Sequence, residues 1–123
     1  MTNSDNDAWA SDDNSHPIPS LSHLDVLVHA KDGRATLGVV IATPMQFDER
    51  SQRRLLRKIH NYLGFINSDE FKAEGGTPSS VKTKIVISIN ANSDSLVFEL
   101  IEKCKPWVLD NNAHLELKVD PLQ

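Results

Sequence analysis

Residues 48–74 read DERSQRRLLRKIHNYLGFINSDEFKAE, and the reading of this stretch decides the fold. Leu55, Leu56, Ile59, Tyr62, Leu63 and Ile66 recur at spacings of three and four, which gathers them on one side of an α-helix. Asp48 is a suitable N-cap, because its carboxylate can accept the free N–H groups of the first turn. Gly75-Gly76 supplies a residue for the left-handed conformation that closes a helix, and Asn67-Ser68 marks a place where the helix can break. One long amphipathic helix, interrupted or not, needs a sheet and a second helix on its apolar side.

The flanking segments supply them. Leu24–Ala30 and Arg34–Thr43 alternate in the two-residue period of strands, separated by Lys31-Asp32-Gly33-Arg34. Asp-Gly suits a type I′ turn, so the pair is read as a β-hairpin with Leu24, Val26 and Val28 facing inward and Asp25, Leu27 and His29 outward. Pro44 ends the second strand. Val81–Asn90 is a third strand, with Ile85, Ile87 and Ile89 on one face and Lys84, Val86 and Ser88 on the other. Asn92 or Ser93 caps a second helix containing Leu96, Val97, Leu100, Ile101, Cys104, Trp107 and Val108, which Pro106 kinks or breaks. Asn111-Asn112 suits a left-handed helix end, and His114–Val119 is a last strand.

The order is β-β-α-β-α-β. With right-handed crossovers both helices lie on one face of a four-stranded mixed sheet, a two-layer α/β (α+β) fold. A chain of 123 residues is one domain by length, and no run approaches the roughly 20 apolar residues of a membrane span. The lone Cys104 excludes an intrachain disulfide and multi-cysteine metal sites, and a cytoplasmic location is expected. The formal net charge of −4 resides in residues 1–20, which hold Asp5, Asp7, Asp12 and Asp13 with no Lys or Arg; acids and bases balance over the rest. Residues 1–20 read as a flexible acidic arm and 21–123 as the domain. Trp9 in the arm is read as incidental, with an anchor on the body or on a partner as the alternative.

The opening Leu24-Asp25-Val26-Leu27-Val28, the Phe47-Asp48 pair and Lys58-Ile59-His60-Asn61-Tyr62-Leu63-Gly64-Phe65-Ile66 resemble a family of small bacterial proteins, a domain of unknown function. That family carries an Asp-Val strand, a Trp/Phe-Asp step before its helix and an Asn-x-Tyr-Leu-x-Phe-Ile motif within it. The resemblance covers about residues 22–120. It implies a bacterial, cytoplasmic, compact α/β unit and transfers no catalytic residue.

Two surfaces are candidates for contact. Arg50, Arg53, Arg54, Arg57 and Lys58 form a cationic patch near a helix N-terminus, where positive charge opposes the macrodipole and arginine forks suit anions or an acidic partner. The bland reading is a solvated face partly neutralised by Asp48 and Glu49; a third is that the acidic arm lies across the stripe and masks it. The other surface is the sheet face away from the helices, where Leu27, Val40 and Val86 form an apolar strip in a polar setting that includes His29; such a face can be solvated, covered by the N-terminal arm or paired with another protein.

Catalytic signals are weak. A nuclease with Asp on one strand and Glu-x-Lys on the next finds Asp25 but neither partner in Leu37–Ala42. Asp25 and His29 share a strand face roughly 13 Å apart, too far to chelate one metal. Cys104 occupies a helical core position, and Gly75–Ser80 lacks the Gly-Lys-Ser/Thr ending of a phosphate loop. No cofactor, metal or catalytic residue is therefore assigned. The favoured reading is a non-catalytic protein-interaction module, with a protein partner or a second copy on the open sheet face; an accessory, toxin-neutralising protein is one concrete form. The alternatives are weak nucleic-acid binding through residues 50–58 and an enzyme whose site the sequence does not reveal.

Overall fold

The computed structural model describes residues 8–120. Strands β1 (Val26–His29), β2 (Ala35–Ile41), β3 (Thr83–Asn90) and β4 (His114–Asp120) form one sheet in the order β1-β2-β3-β4. β1 runs antiparallel to β2, while β2, β3 and β4 are parallel. Helices α1 (Glu49–Ile66) and α2 (Asp69–Gly75) connect β2 to β3, and α3 (Ser95–Lys103) and α4 (Lys105–Leu109) connect β3 to β4. This is the expected two-layer, four-stranded α+β architecture.

Each helical crossover is divided. The Asp48 carboxylate accepts from the Ser51 N–H at 3.3 Å and starts α1. Ser68 caps α2 through the Phe71 N–H at 3.2 Å, so the long stretch breaks at Asn67-Ser68. Gly76, at φ 80°, closes α2. Asp94, rather than Asn92 or Ser93, caps α3, and Pro106 falls in the first turn of α4, where its missing N–H costs no helical bond. Asn112, at φ 70°, follows α4 in the left-handed conformation.

The core lies between the layers. Leu37, Val39, Ile41, Ile85, Ile87 and Ile89 meet Leu55, Ile59, Tyr62, Ile66, Val97 and Ile101, all buried. Leu56 and Leu96, expected in the core, are exposed instead, at the margins of their helical stripes. Cys104 is buried, and burial pushes its thiol above the ordinary value, so it packs as a small apolar group.

Two expectations need correction. The first concerns residues 1–20, read as a flexible arm outside the core: residues 1–7 lie outside the described residues, and residues 8–20 pack on the body. Ile18 is 1% exposed and joins the core cluster, Leu21 is also buried, and this segment forms a strap across α1. Its apolar content is sparse, but Ile18 is sufficient to pin it because polar groups of α1 hold the backbone on either side.

The second concerns the hairpin. Only Gly33 in the connection has positive φ, at 90°, whereas a type I′ turn needs two such residues. The Gly33 N–H donates to the Ala30 carbonyl at 3.1 Å, and the Ala30 N–H to the Arg34 carbonyl at 2.8 Å. This is a three-residue loop with a bulge-type glycine, one residue longer than expected. Leu27 therefore pairs with Leu37 and His29 with Ala35, which turns β1 over.

Candidate functional site

The cationic patch of α1 is largely consumed by the strap. Arg54 is fully buried. Its guanidinium donates to the carbonyls of Trp9 at 2.9 Å, Ser11 at 2.7 Å and Ile18, with Nε–H also on Ile18 at 3.0 Å. Lys58 is also fully buried and donates to the Ser20 carbonyl at 2.7 Å and the Asp25 carboxylate at 3.0 Å. One turn on, the Asn61 amide reaches the Leu21 carbonyl at 3.0 Å. The Tyr62 hydroxyl then donates to the Gly38 carbonyl at 2.7 Å and accepts from the Asp25 N–H at 3.0 Å. Arg54, Lys58, Asn61 and Tyr62 thus follow the chain from Trp9 to Asp25 along one side of α1.

The remaining cations are partnered too. Arg50 donates to the Asp13 carboxylate at 2.8 Å, and bonds from Ser15 and then Arg50 hold that carboxyl well below its usual range. Arg53 pairs with Glu49 at 3.4 Å, and the guanidinium groups of Arg53 and Arg57 lie 5.8 and 5.3 Å from the Trp9 ring centroid. Trp9, read as incidental, is an anchor. Arg54 and Lys58 thus leave the set of residues available to an anion or partner, and Arg50, Arg53 and Arg57 hold internal contacts at the surface.

A cavity of about 290 Å³ at the start of α1 is lined by His16, Asp48, Arg50 and Ser51. His16 Nε2 lies 2.8 Å from Ser51 Oγ, which suggests a base and nucleophile. However, His16 Nδ1 accepts the Ile18 N–H at 2.9 Å, so Nε2 carries the proton and donates it to Ser51. In that tautomer the imidazole cannot take the serine proton. The pair pins the strap. Among the described residues no group of three His, Cys, Asp or Glu is placed to hold a metal.

The open sheet face is the other candidate. Val40 and Val86 lie on it as expected, with Val40 exposed and Val86 partly so. Leu27 and His29 do not: they face the helices, and Leu27 packs against the core. His29 sits 5.2 Å from the Phe71 ring beside Glu74, with Nε2 buried and 3.8 Å from that carboxylate. Val26 and Val28 take their places on the open face, with Val28 56% exposed. The strip is therefore Val26, Val28, Val40 and Val86.

One row of this face runs Val28, Thr36, Lys84, His114 and the next runs Val26, Gly38, Val86, Glu116. Gly38 is buried because Val26 leans across it: a Cβ there would lie 2.9 Å from Val26 Cβ. Lys84 pairs with Glu116 at 3.1 Å. Where the face meets the amino ends of β2, β3 and β4 there is a cleft of about 380 Å³ between Val28 and Val81, the latter 83% exposed. Val26, Val28 and Val81 are the interaction candidates that sequence reasoning missed. Strand alternation alone is blind to the phase of β1, whereas the one-residue difference in loop length reveals it.

Comparison with protein families, characterised proteins and solved structures finds no match for this chain. No helix among the described residues is long and apolar enough to cross a membrane.

Proposed function

We propose that this chain is a non-catalytic protein-interaction module that engages a protein partner through the open face of its sheet. The observation that carries the reading is the set of exposed valines Val26, Val28 and Val40, on a face that the helices of the described residues leave uncovered. An apolar strip with a polar border is the composition of a docking surface, since burying it removes aliphatic groups from water while the rim stays solvated. The burial of Arg54 and Lys58 argues against the nucleic-acid alternative, because two of its five cations already bind the strap. An accessory protein that neutralises a toxin is one concrete form of the proposal. The likeness to the small bacterial family, and a cytoplasmic setting, belong to the same proposal and add no activity to it. Tyr62, Leu63 and Ile66, which match the Tyr-Leu-x-Phe-Ile part of the family's motif, and Asn61, which stands one position nearer Tyr62 than the motif's Asn, serve packing and the strap.

The test is capture from native lysate at high salt with the full chain, its Val28→Glu and Val40→Glu variants, and Leu96→Glu on α3 as control. A stoichiometric protein held by the parent and the control, and lost by both sheet-face variants, is the expected result. Retention by the sheet-face variants, or capture only of nucleic acid that leaves in high salt, overturns the reading.

A further inference from the structure

We infer that the cleft at the amino ends of β2, β3 and β4 selects the partner, and that it takes an acidic protein segment bearing aliphatic side chains. This rests on the interaction reading above and names the partner's chemistry. Val28 and Val81 form the apolar walls, and Arg34, Lys82, Lys84 and His114 surround them. Arg34 is balanced by Asp32 at 3.3 Å and Lys84 by Glu116 at 3.1 Å, while Lys82 makes no ion pair among the described residues. The rim therefore carries a surplus of positive charge on a chain whose net charge is −4. A local field opposite in sign to that of the whole molecule is the arrangement that orients an acidic partner.

The rim ion pairs are exposed: the Arg34 and Asp32 side chains retain 75% and 57% of their accessible surface. Pairs of this kind contribute little, so a partner's carboxylates can replace Asp32 and Glu116 at small cost. Val28 and Lys84 occupy one row, separated by Thr36. Two strand spacings place them roughly 10 Å apart. A segment crossing the strands meets both when it carries an aliphatic group and a carboxylate at that separation. A nucleic acid fits less well, because Val28 and Val81 offer no aromatic platform on which bases could stack.

The experiment titrates the isotope-labelled full chain at low salt with an acetylated peptide of alternating leucine and glutamate. A peptide with glutamine for glutamate and a single-stranded oligonucleotide are run in parallel. The expected result is amide shifts centred on Val28, Thr36, Lys82 and Lys84. Affinity should fall by about tenfold for Lys82→Glu and again at high salt. Lys84→Gln, which creates no repulsion with Glu116, should weaken binding in the same direction. Equal binding of the glutamine peptide, shifts mapping elsewhere, an absence of shifts, or tighter binding of the oligonucleotide overturns the inference. If the peptide fails while Val28→Glu and Val40→Glu still lose a captured protein, only the partner chemistry falls. If those variants keep it, the interaction reading falls as well.

Discussion

The buried guanidinium of Arg54 ends on the carbonyl of Ile18, the residue that carries the strap into the core. Its other donors reach Trp9 and Ser11, so one side chain satisfies three backbone acceptors of a segment outside every strand and every helix of more than one turn. Arg54→Met keeps the aliphatic stem and removes every donor. The expected loss is about 2–4 kcal/mol in urea unfolding, with faster proteolysis within residues 8–20. Arg53→Gln, at an exposed ion pair, should change stability by about 0.5 kcal/mol or less. Equal effects of the two substitutions would remove the clamp from the account.

Acid should loosen the same strap. Burial holds the His16 imidazole below its usual value of 6.5, and the charges of Arg54 and Arg50 act in the same direction against Asp48 and Asp13. Between the folded and unfolded values the unfolded chain binds the proton and the folded one does not, so stability falls as pH drops below 6.5. Asp13, whose carboxyl is depressed, adds stability above its unfolded value that is lost only at much lower pH. Urea unfolding at about pH 7.5 and about pH 5.5 should show the decrease, and His16→Gln should flatten it.

Tyr62 gives the opposite dependence at the alkaline end. Burial pushes its phenol from 10.0 up to about 12. A raised value means that its contribution is complete below pH 10.0 and disappears as pH rises toward 12. Tyr62 is the single tyrosine of the chain, so alkaline absorbance titration reads it directly. Ionisation should be delayed to about pH 12 in the native protein and return to about 10 in urea. Tyr62→Phe leaves the Gly38 carbonyl and Asp25 N–H without this partner, and should cost about 1–3 kcal/mol.

Two glycines should respond in opposite senses. Gly64 lies within α1 with open space where a Cβ would stand, so Gly64→Ala meets no clash and gains helix propensity, about 1 kcal/mol of stability. At Gly38 an added Cβ would lie 2.9 Å from that of Val26, and one of the two strands must shift. Gly38→Ala should lower the melting temperature where Gly64→Ala raises it.

Where local chemistry was decisive, the fold was legible in the sequence. The helical period of Leu55, Ile59, Tyr62 and Ile66 placed α1, Ser68 and Pro106 marked its break and that of the second crossover, and the isoleucines of β3 announced the central strand. The course of the strap was legible only as the reading in which the acidic arm lies across the cationic stripe; its entry into the core was not, because what holds it is a set of long-range bonds from Arg54, Lys58 and Asn61 to backbone carbonyls that carry no sequence signature. The same bonds turned the apparent anion site inward. On the sheet, Val40 and Val86 fall on the expected face, since β3 alternates along its whole length and the seven residues of β2 keep Ala35, Leu37, Val39 and Ile41 buried on the other side. β1 escaped the pattern because Leu27 and Val28 are both apolar, so either phase satisfies its alternation.

The phase of β1 can be tested directly through those two residues. Leu27 lies opposite Leu37 and packs against the core, whereas Val28 lies opposite Thr36 on the open face. Leu27→Asn would put an amide with no partner where an aliphatic side chain now packs, at a cost of about 2–3 kcal/mol. Val28→Asn changes an exposed position and should cost about 0.5 kcal/mol, part of it from β propensity. Thermal unfolding of the two variants decides between the phases. A hairpin closed by a two-residue turn would exchange their effects, because a shift of one residue moves every side chain of the strand to the opposite face.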